Sequence, residues 1–342
     1  MRAPALLCAL PAVLATACTA PLREEINWNR VDLARERTAI EAFQAHDQKL
    51  QDVGWKLVRG NAGICARTIP AVGLQLQDMA SYGSPAIARR ALGLARDFAV
   101  QTAAAESPAG QSGAFRPNRE IAALSGTDPN QWEAGARFDW ERLARAHDHV
   151  DAVLADRGAL TVAFADGGEA ALAPVPVCAT RFELMGEGRR AVADGNRVVI
   201  GIRFPAFAYP EDMFAGVVAH ELAHNLLGHS DWLDHHGRRQ GNVRRAEREA
   251  DRLMPWLLAN AGYDPEAALR FMQEWGPRHS GGILRERSHD GWDERAEFIA
   301  AELPAIQALL EESGKADWSV HFRREIAPLP AASSEQGASA GG

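Results

Sequence analysis

His220-Glu221-Leu222-Ala223-His224 lies inside a run of residues that is apolar on nearly every side. Pro210 opens the run, Glu211 and Asp212 fill a first turn as a helix N-terminus favours, and Gly228 can close it. Met213, Phe214, Val217, Val218, Leu222, Leu226 and Leu227 leave little polar surface, so a helix here must be buried. Histidines four residues apart stand one turn apart on the same face, so both rings can reach one ion. Two imidazoles on a buried helix need partners, and a metal supplies one.

Twenty-three residues after His224 comes Glu247-Arg248-Glu249-Ala250-Asp251, inside a second helical pattern from about Val243 to Ala261. Glu247 and Asp251 share a face. A carboxylate from this second helix completes a three-ligand site and leaves a fourth position for water. Asp251, one turn on, can accept a ring N–H from a ligand histidine and fix its tautomer. Glu249 points elsewhere and reads as a solvated surface charge. His229 follows His224 by five residues, whereas metzincins place a third histidine six residues on, so it reads as a helix-end residue and not as a ligand. His235 and His236, beside Arg238 and Arg239, read as a solvated loop. Pro255 cannot donate to the carbonyl of Asp251, which predicts a kink in the second helix.

The stretches Val217–His229 (VVAHELAHNLLGH) and Glu247–Leu253 (EREADRL) resemble the HtpX-like, prenyl-protease-type gluzincin family of zinc metallopeptidases. Ala193-Asp194-Gly195 before the hydrophobic Val198-Val199-Ile200, and Gly262-Tyr263-Asp264-Pro265 after the second helix, fit the same pattern, which covers about 140 residues. The resemblance implies one Zn2+ per chain held by His220, His224 and Glu247, with Glu221 as the catalytic base. The family often carries Thr-His-Pro followed by Arg late in the domain. Here Ser288-His289-Asp290 stands there with Arg295 beyond, making His289 or Arg295 the candidate group for the oxyanion. The strand Arg197 to Arg203 is expected to form the edge along which an extended substrate lies.

The N-terminus has its own character. Arg2 precedes an apolar run from Ala3 to Ala17, shorter than the roughly 20 residues of a membrane-spanning helix, so residues 1–17 read as a secretory signal peptide. Leu14-Ala15-Thr16-Ala17-Cys18 resembles a bacterial lipobox, which implies lipidation of Cys18 and, with Thr19, anchoring to the outer membrane from the periplasmic side. Cys65 and Cys178 are left over, either as a disulfide in an oxidising compartment or as two buried thiols.

Residues 18–95 read as a tether followed by two helices, about Arg30–Arg59 and Ser84–Arg96, packing on the catalytic core. Residues 96–177 change character. Phe98–Thr102 alternates as a strand, Ser107–Ala114 is loop-like, Glu120–Gly126 is a strand entering a turn, and Trp140–Leu154 fits a helix. Leu160–Phe164 and Ala170–Val175 flank Asp166-Gly167-Gly168 as a hairpin. That order resembles a bacterial PDZ domain, carried by Ser107-Pro108-Ala109 with Gly113 and by Ile121 with Leu124-Ser125-Gly126. The resemblance implies capture of peptide C-termini by strand addition. Residues 178–315 hold the metal motifs, and residues 316–342 form a tail whose composition from Pro328 predicts disorder.

The expected fold is α+β: a zincin-like, mostly helical metallopeptidase core with a small sheet, plus a PDZ-like α+β domain. The expected activity is zinc-dependent hydrolysis of unfolded or misassembled envelope polypeptides in quality control. Two other readings stand beside it, a zinc-stabilised PDZ-bearing chaperone or binding module and an amidase or cell-wall peptidase. With 37 Lys plus Arg against 45 Asp plus Glu, the net charge of −8 gives no reason to expect a nucleic-acid partner.

Overall fold

The computed structural model describes residues 26–279 and 290–329. The chain groups into two units, one up to Asp32 and one from Leu33 onward. The described part of the first is a short 3-10 turn, Trp28–Arg30. Cys18 and the signal segment lie outside the described residues. No described helix is long and apolar enough to cross a membrane.

The second unit opens with a long helix, α1 (Leu33–Gly60), followed by the strands β1 (Thr68–Ala71) and β2 (Leu74–Asp78) and helix α2 (Pro85–Leu92). Then come β3 (Phe98–Ala103), a single helical turn α3 (Pro108–Gln111), β4 (Ile121–Leu124), α4 (Trp140–Arg157), β5 (Leu160–Phe164) and β6 (Glu169–Leu172). The metal motifs follow β7 (Val175–Cys178), β8 (Arg181–Met185), β9 (Ala191–Ala193) and β10 (Arg197–Gly201). The helices α5 (Glu211–Leu226), α6 (His229–His236), α7 (Gln240–Asn260), α8 (Ala267–His279), α9 (Trp292–Ser313) and α10 (Trp318–His321) complete the unit. Helices and sheets are thus mixed, as an α+β chain requires.

Two large hydrophobic cores share this unit, with two small clusters beside them. The larger is built round α5, whose Phe214, Val218, Leu222 and Ala223 meet Leu253, Met254 and Trp256 of α7 and Ile299 of α9. The smaller runs from Val72 to Leu172 and holds Phe98, Ile121, Leu124, Val150, Leu160 and Val162. It begins well before residue 96, because β2 supplies Leu74 and Leu76 and pairs antiparallel with β3. Neither β1 nor β2 is legible as a strand in the sequence. β1 finds its antiparallel partner in β7, more than a hundred residues along, and Cys65 just before it forms a disulfide with Cys178 at the end of β7. Of the two readings for these cysteines, the structure shows the bridge.

Between the cores runs a polar seam. One face of α1 presents Gln44, Asp47, Gln48 and Gln51 to the β2–β3 sheet. Gln44 donates to Asn118 (2.8 Å), Gln101 to Asp47 (3.2 Å), Gln75 to Gln51 (3.2 Å) and Gln48 to the Ala103 carbonyl (2.9 Å). Buried polar groups are tolerated here because they satisfy one another.

α4 closes the smaller core over β2. Its His147 accepts, at 3.5 Å, from the Leu76 amide and faces Arg181, and burial then lowers the imidazole from its ordinary value to about 4. The unfolded chain therefore takes up this proton first, near pH 6.5. The contribution of neutral His147 to stability is fully present above that pH and is lost as pH falls toward 4, at a cost of at most about 3 kcal/mol. Urea midpoints should drop between pH 7.5 and pH 4.5, and His147→Gln should flatten that drop. An unchanged drop in the variant would assign the acid sensitivity to other groups.

Several sequence expectations change. His235 and His236 end a helix, α6, because Trp232 and Leu233 bury one apolar side of it with Ala246 and Ile326. α7 begins at Gln240, three residues before the expected Val243, and includes Pro255. The strand β10 is not an edge. It joins β9 through a turn at Gly195 (φ +101°), and β8 adds in parallel on its other side, so the order is β8-β10-β9, the outer strands are β8 and β9, and β9 is the one that lines the cleft beside the histidines. The segment after residue 316 packs on the body, burying Trp318, Phe322 and Ile326.

Candidate metal centre

α5 starts behind Pro210 with Glu211 and Asp212 in its first turn and stops at Leu227 where Gly228 turns left-handed (φ +69°). Its packing against α7 brings His220, His224 and Glu247 together, with one ligand atom from each lying within 4.8 Å of the others. The two Nε2 atoms are 3.3 Å apart, His220 Nε2 is 3.4 Å from Glu247 Oε2, and His224 Nε2 is 3.6 Å from Glu247 Oε1. Four ligands arranged as a tetrahedron at about 2.1 Å from a metal have edges of about 3.4 Å. The cluster, with one carboxylate oxygen near each ring, could hold a metal ion.

The surroundings support the same donor set. Asp251, fully buried, accepts from His220 Nδ1 at 3.0 Å, so the lone pair of Nε2 is turned to the cluster. Arg295 grips the same carboxylate with Nε (2.6 Å) and Nη2 (2.7 Å). Burial raises the Asp251 carboxyl, but Arg295 and His220 outweigh it and hold it below the usual value. Burial likewise lowers both ligand rings. In His220 the bonds to Asp251 and Glu247 prevail and lift it to about 10, whereas His224 falls to about 3. Arg295 offsets Asp251, so once a cation displaces the proton that His220 holds between Asp251 and Glu247, one carboxylate and two imidazoles remain, a donor set that suits a divalent ion.

Glu221 follows the first histidine and faces the same cleft. Burial pushes its carboxyl up to about 7, with His220 and the Ala193 backbone N–H pulling down and Glu247 pushing up. The cleft has a volume of about 390 Å3. One side is the β9 edge, Ala191–Ala193, and Phe204, Phe271 and Trp275 form an apolar wall. Asn225, one residue past His224, accepts from the Gly195 amide at 2.7 Å and so pins the β9–β10 turn to the metal helix.

Glu249 is not a solvated charge. It is fully buried on the side of α7 away from the cluster and accepts from His229 Nε2 (3.1 Å), Arg324 (3.0 Å) and the backbone amides of Glu325 and Ile326. Burial raises its carboxyl, but these donors hold it well below the ordinary carboxylate range. His229 does begin a helix and is no member of the cluster, yet it is buried against His224. The spacing of Trp318, Phe322 and Ile326, four residues apart, is the sequence signal for the segment that covers Glu249. Arg295 lines the cleft, but its fork is committed to Asp251. His289 lies outside the described residues.

The space between β2 and α4, where a PDZ domain would add a peptide strand, is also lined by Trp55 and Val58 of α1 and by Val177 and Phe182. Its volume is about 90 Å3, well under the roughly 300 Å3 at which ligand pockets begin. No protein-family pattern, no curated protein and no solved structure matches the chain, so the placement of its own side chains carries the functional argument.

Proposed function

We propose that the protein is a zinc-dependent endopeptidase that hydrolyses polypeptides in the bacterial cell envelope. The observation that carries this reading is the cluster of His220, His224 and Glu247 donors, all within 4.8 Å of one another, beside the Glu221 carboxyl in a cleft bordered by the outer strand β9. When bound, zinc supplies Lewis acidity to the scissile carbonyl and to the attacking water. The chain does the rest. The β9 edge offers backbone groups to an extended peptide, which aligns it across the cleft. Phe204, Phe271 and Trp275 receive an apolar side chain of the substrate. Glu221 takes the proton of the attacking water and returns it to the departing amine. Asp251 and Arg295 keep His220 in the tautomer that turns Nε2 to the cluster.

The Cys65–Cys178 bridge supports an oxidising compartment, consistent with the signal segment and Cys18 in the sequence. Unfolded or misassembled envelope chains fit a cleft that reads backbone more than side chains. Capture of peptide C-termini by the PDZ-like region would require α4 to move away from β2. Purified protein should carry one zinc per chain and cleave casein, and both should vanish in Glu247→Ala. A wild-type protein that holds no zinc at neutral pH would overturn the reading.

A further inference from the structure

Behind His224 the structure carries a chain of contacts that the peptidase reading does not use. His224 Nδ1 lies 2.9 Å from Nδ1 of His229. The other nitrogen of that ring, Nε2, lies 3.1 Å from Glu249 Oε2. His229 is 1% exposed and Glu249 is 0% exposed, so water does not compete for either. Glu249 is held in turn by a strap at the C-terminal end of the described chain. Its Oε1 accepts from the Ile326 amide at 2.8 Å and from the Glu325 amide, and its Oε2 accepts from Arg324 Nη2 at 3.0 Å. The same Arg324 nitrogen donates to the Leu227 carbonyl at 2.9 Å, the C-cap of the helix that bears both histidines. Ile326 is fixed by Trp232, Leu233 and Ala246.

We infer that His229 and Glu249, clamped by Arg324–Ile326, are positioning residues that make His224 an Nε2 ligand, so that the metal affinity of the cluster depends on the C-terminal strap. The argument is one of proton direction, and it rests on the metal-centre reading above. A neutral imidazole has a single N–H. If His224 offers the Nε2 lone pair to a metal, its proton sits on Nδ1 and must go to His229 Nδ1. That atom is then an acceptor, so the His229 proton sits on Nε2 and must go to an acceptor as well. A carboxylate at the end of the line supplies one and can only accept. Asp251 does the same for His220 in one step. At Nδ1 of His224 the partner is another imidazole, and His229 carries the instruction one residue further. Partners of this kind typically change metal affinity about 10–100-fold.

Four variants of the full chain test this, with zinc affinity read by competition against a chromophoric chelator, ligand geometry by the visible spectrum of the Co2+-loaded protein, and fold by the melting of the metal-free form. His229→Phe keeps the volume and removes the acceptor, and should weaken zinc about 10–100-fold with an altered Co2+ spectrum. His229→Gln can accept from His224 and donate to Glu249, and should restore most of that loss. Glu249→Gln is isosteric, but its amide N–H meets donors either way it turns, His229 Nε2 and Arg324 or the Glu325 and Ile326 amides. It therefore reverses the line or unseats the strap, and should weaken zinc as His229→Phe does. Because the metal-free form of each is compared with wild type, a general loss of fold is seen separately, and Glu249→Gln carries the test if His229→Phe does not fold. Glu247→Ala is the control. Zinc lost in Glu247→Ala but bound normally, with an unchanged Co2+ spectrum, in His229→Phe and Glu249→Gln would overturn the relay alone. Wild-type protein without zinc would overturn the metal centre and the relay together.

Discussion

Glu221→Gln is expected to keep its zinc and to lose cleavage of casein or of a fluorogenic peptide by about 10²–10⁴-fold. Glu221 is not one of the three clustered ligands, yet it shares their cleft, and no described Lys lines that cleft with it. Glutamine keeps the volume of the residue and can still accept from the Ala193 backbone N–H, but it can neither take up the water's proton nor pass it to the departing amine. Metal content by elemental analysis and the initial rate of cleavage, measured on the same preparation, separate the two effects. A rate within tenfold of wild type would place the base elsewhere. Loss of zinc along with the rate would show that Glu221 supports the cluster instead of the chemistry.

The second large effect concerns stability. The Cys65–Cys178 bridge closes a loop with a sequence separation of 113 residues, and the chain-entropy account of such a crosslink gives about 5 kcal/mol as its upper contribution. The whole smaller core lies inside that loop. Replacing both cysteines by alanine should therefore lower stability by about 3–5 kcal/mol, read as a shift of the urea midpoint at constant slope. Reduction of the wild type should reproduce most of the shift. A change below about 1 kcal/mol would mean that β1–β7 pairing already confines the unfolded loop.

Much of the candidate centre was legible before any fold was known, because its geometry is local. Four-residue spacing on a helix fixes which side chains share a face, and this placed His220 with His224 and Glu247 with Asp251. The hairpin round Gly167 was legible for the same reason, since Asp-Gly-Gly sets its own turn. What was not legible depends on partners far along the chain. β1 and β2 were given no element, because their strands exist only through β7 and β3. The edge strand was assigned to β10, since the sequence does not say on which side β8 will add. Glu249 looked like a surface charge because an acidic residue on an amphipathic helix is solvated by default. Its donors come from residues 324–326, about 75 positions later. His229 was weighed only as a third ligand. Failing that spacing left no reason to ask whether it served a ligand.

The seam along α1 has a consequence for how the molecule comes apart. Gln44, Gln48, Gln51, Gln75 and Gln101 hold the smaller core to this helix through amide and carboxylate contacts, and water can replace a bond of that kind at a net cost of about 1 kcal/mol. Each core, by contrast, would have to expose aromatic and aliphatic area to open. Fluctuations of the folded chain should therefore follow the seam, with residues 72–172 swinging as one body on α1 while both interiors stay dry. In such a motion the glutamine row acts as a parting line, and the backbone amides flanking it would be the first ordered amides to exchange their hydrogens with solvent.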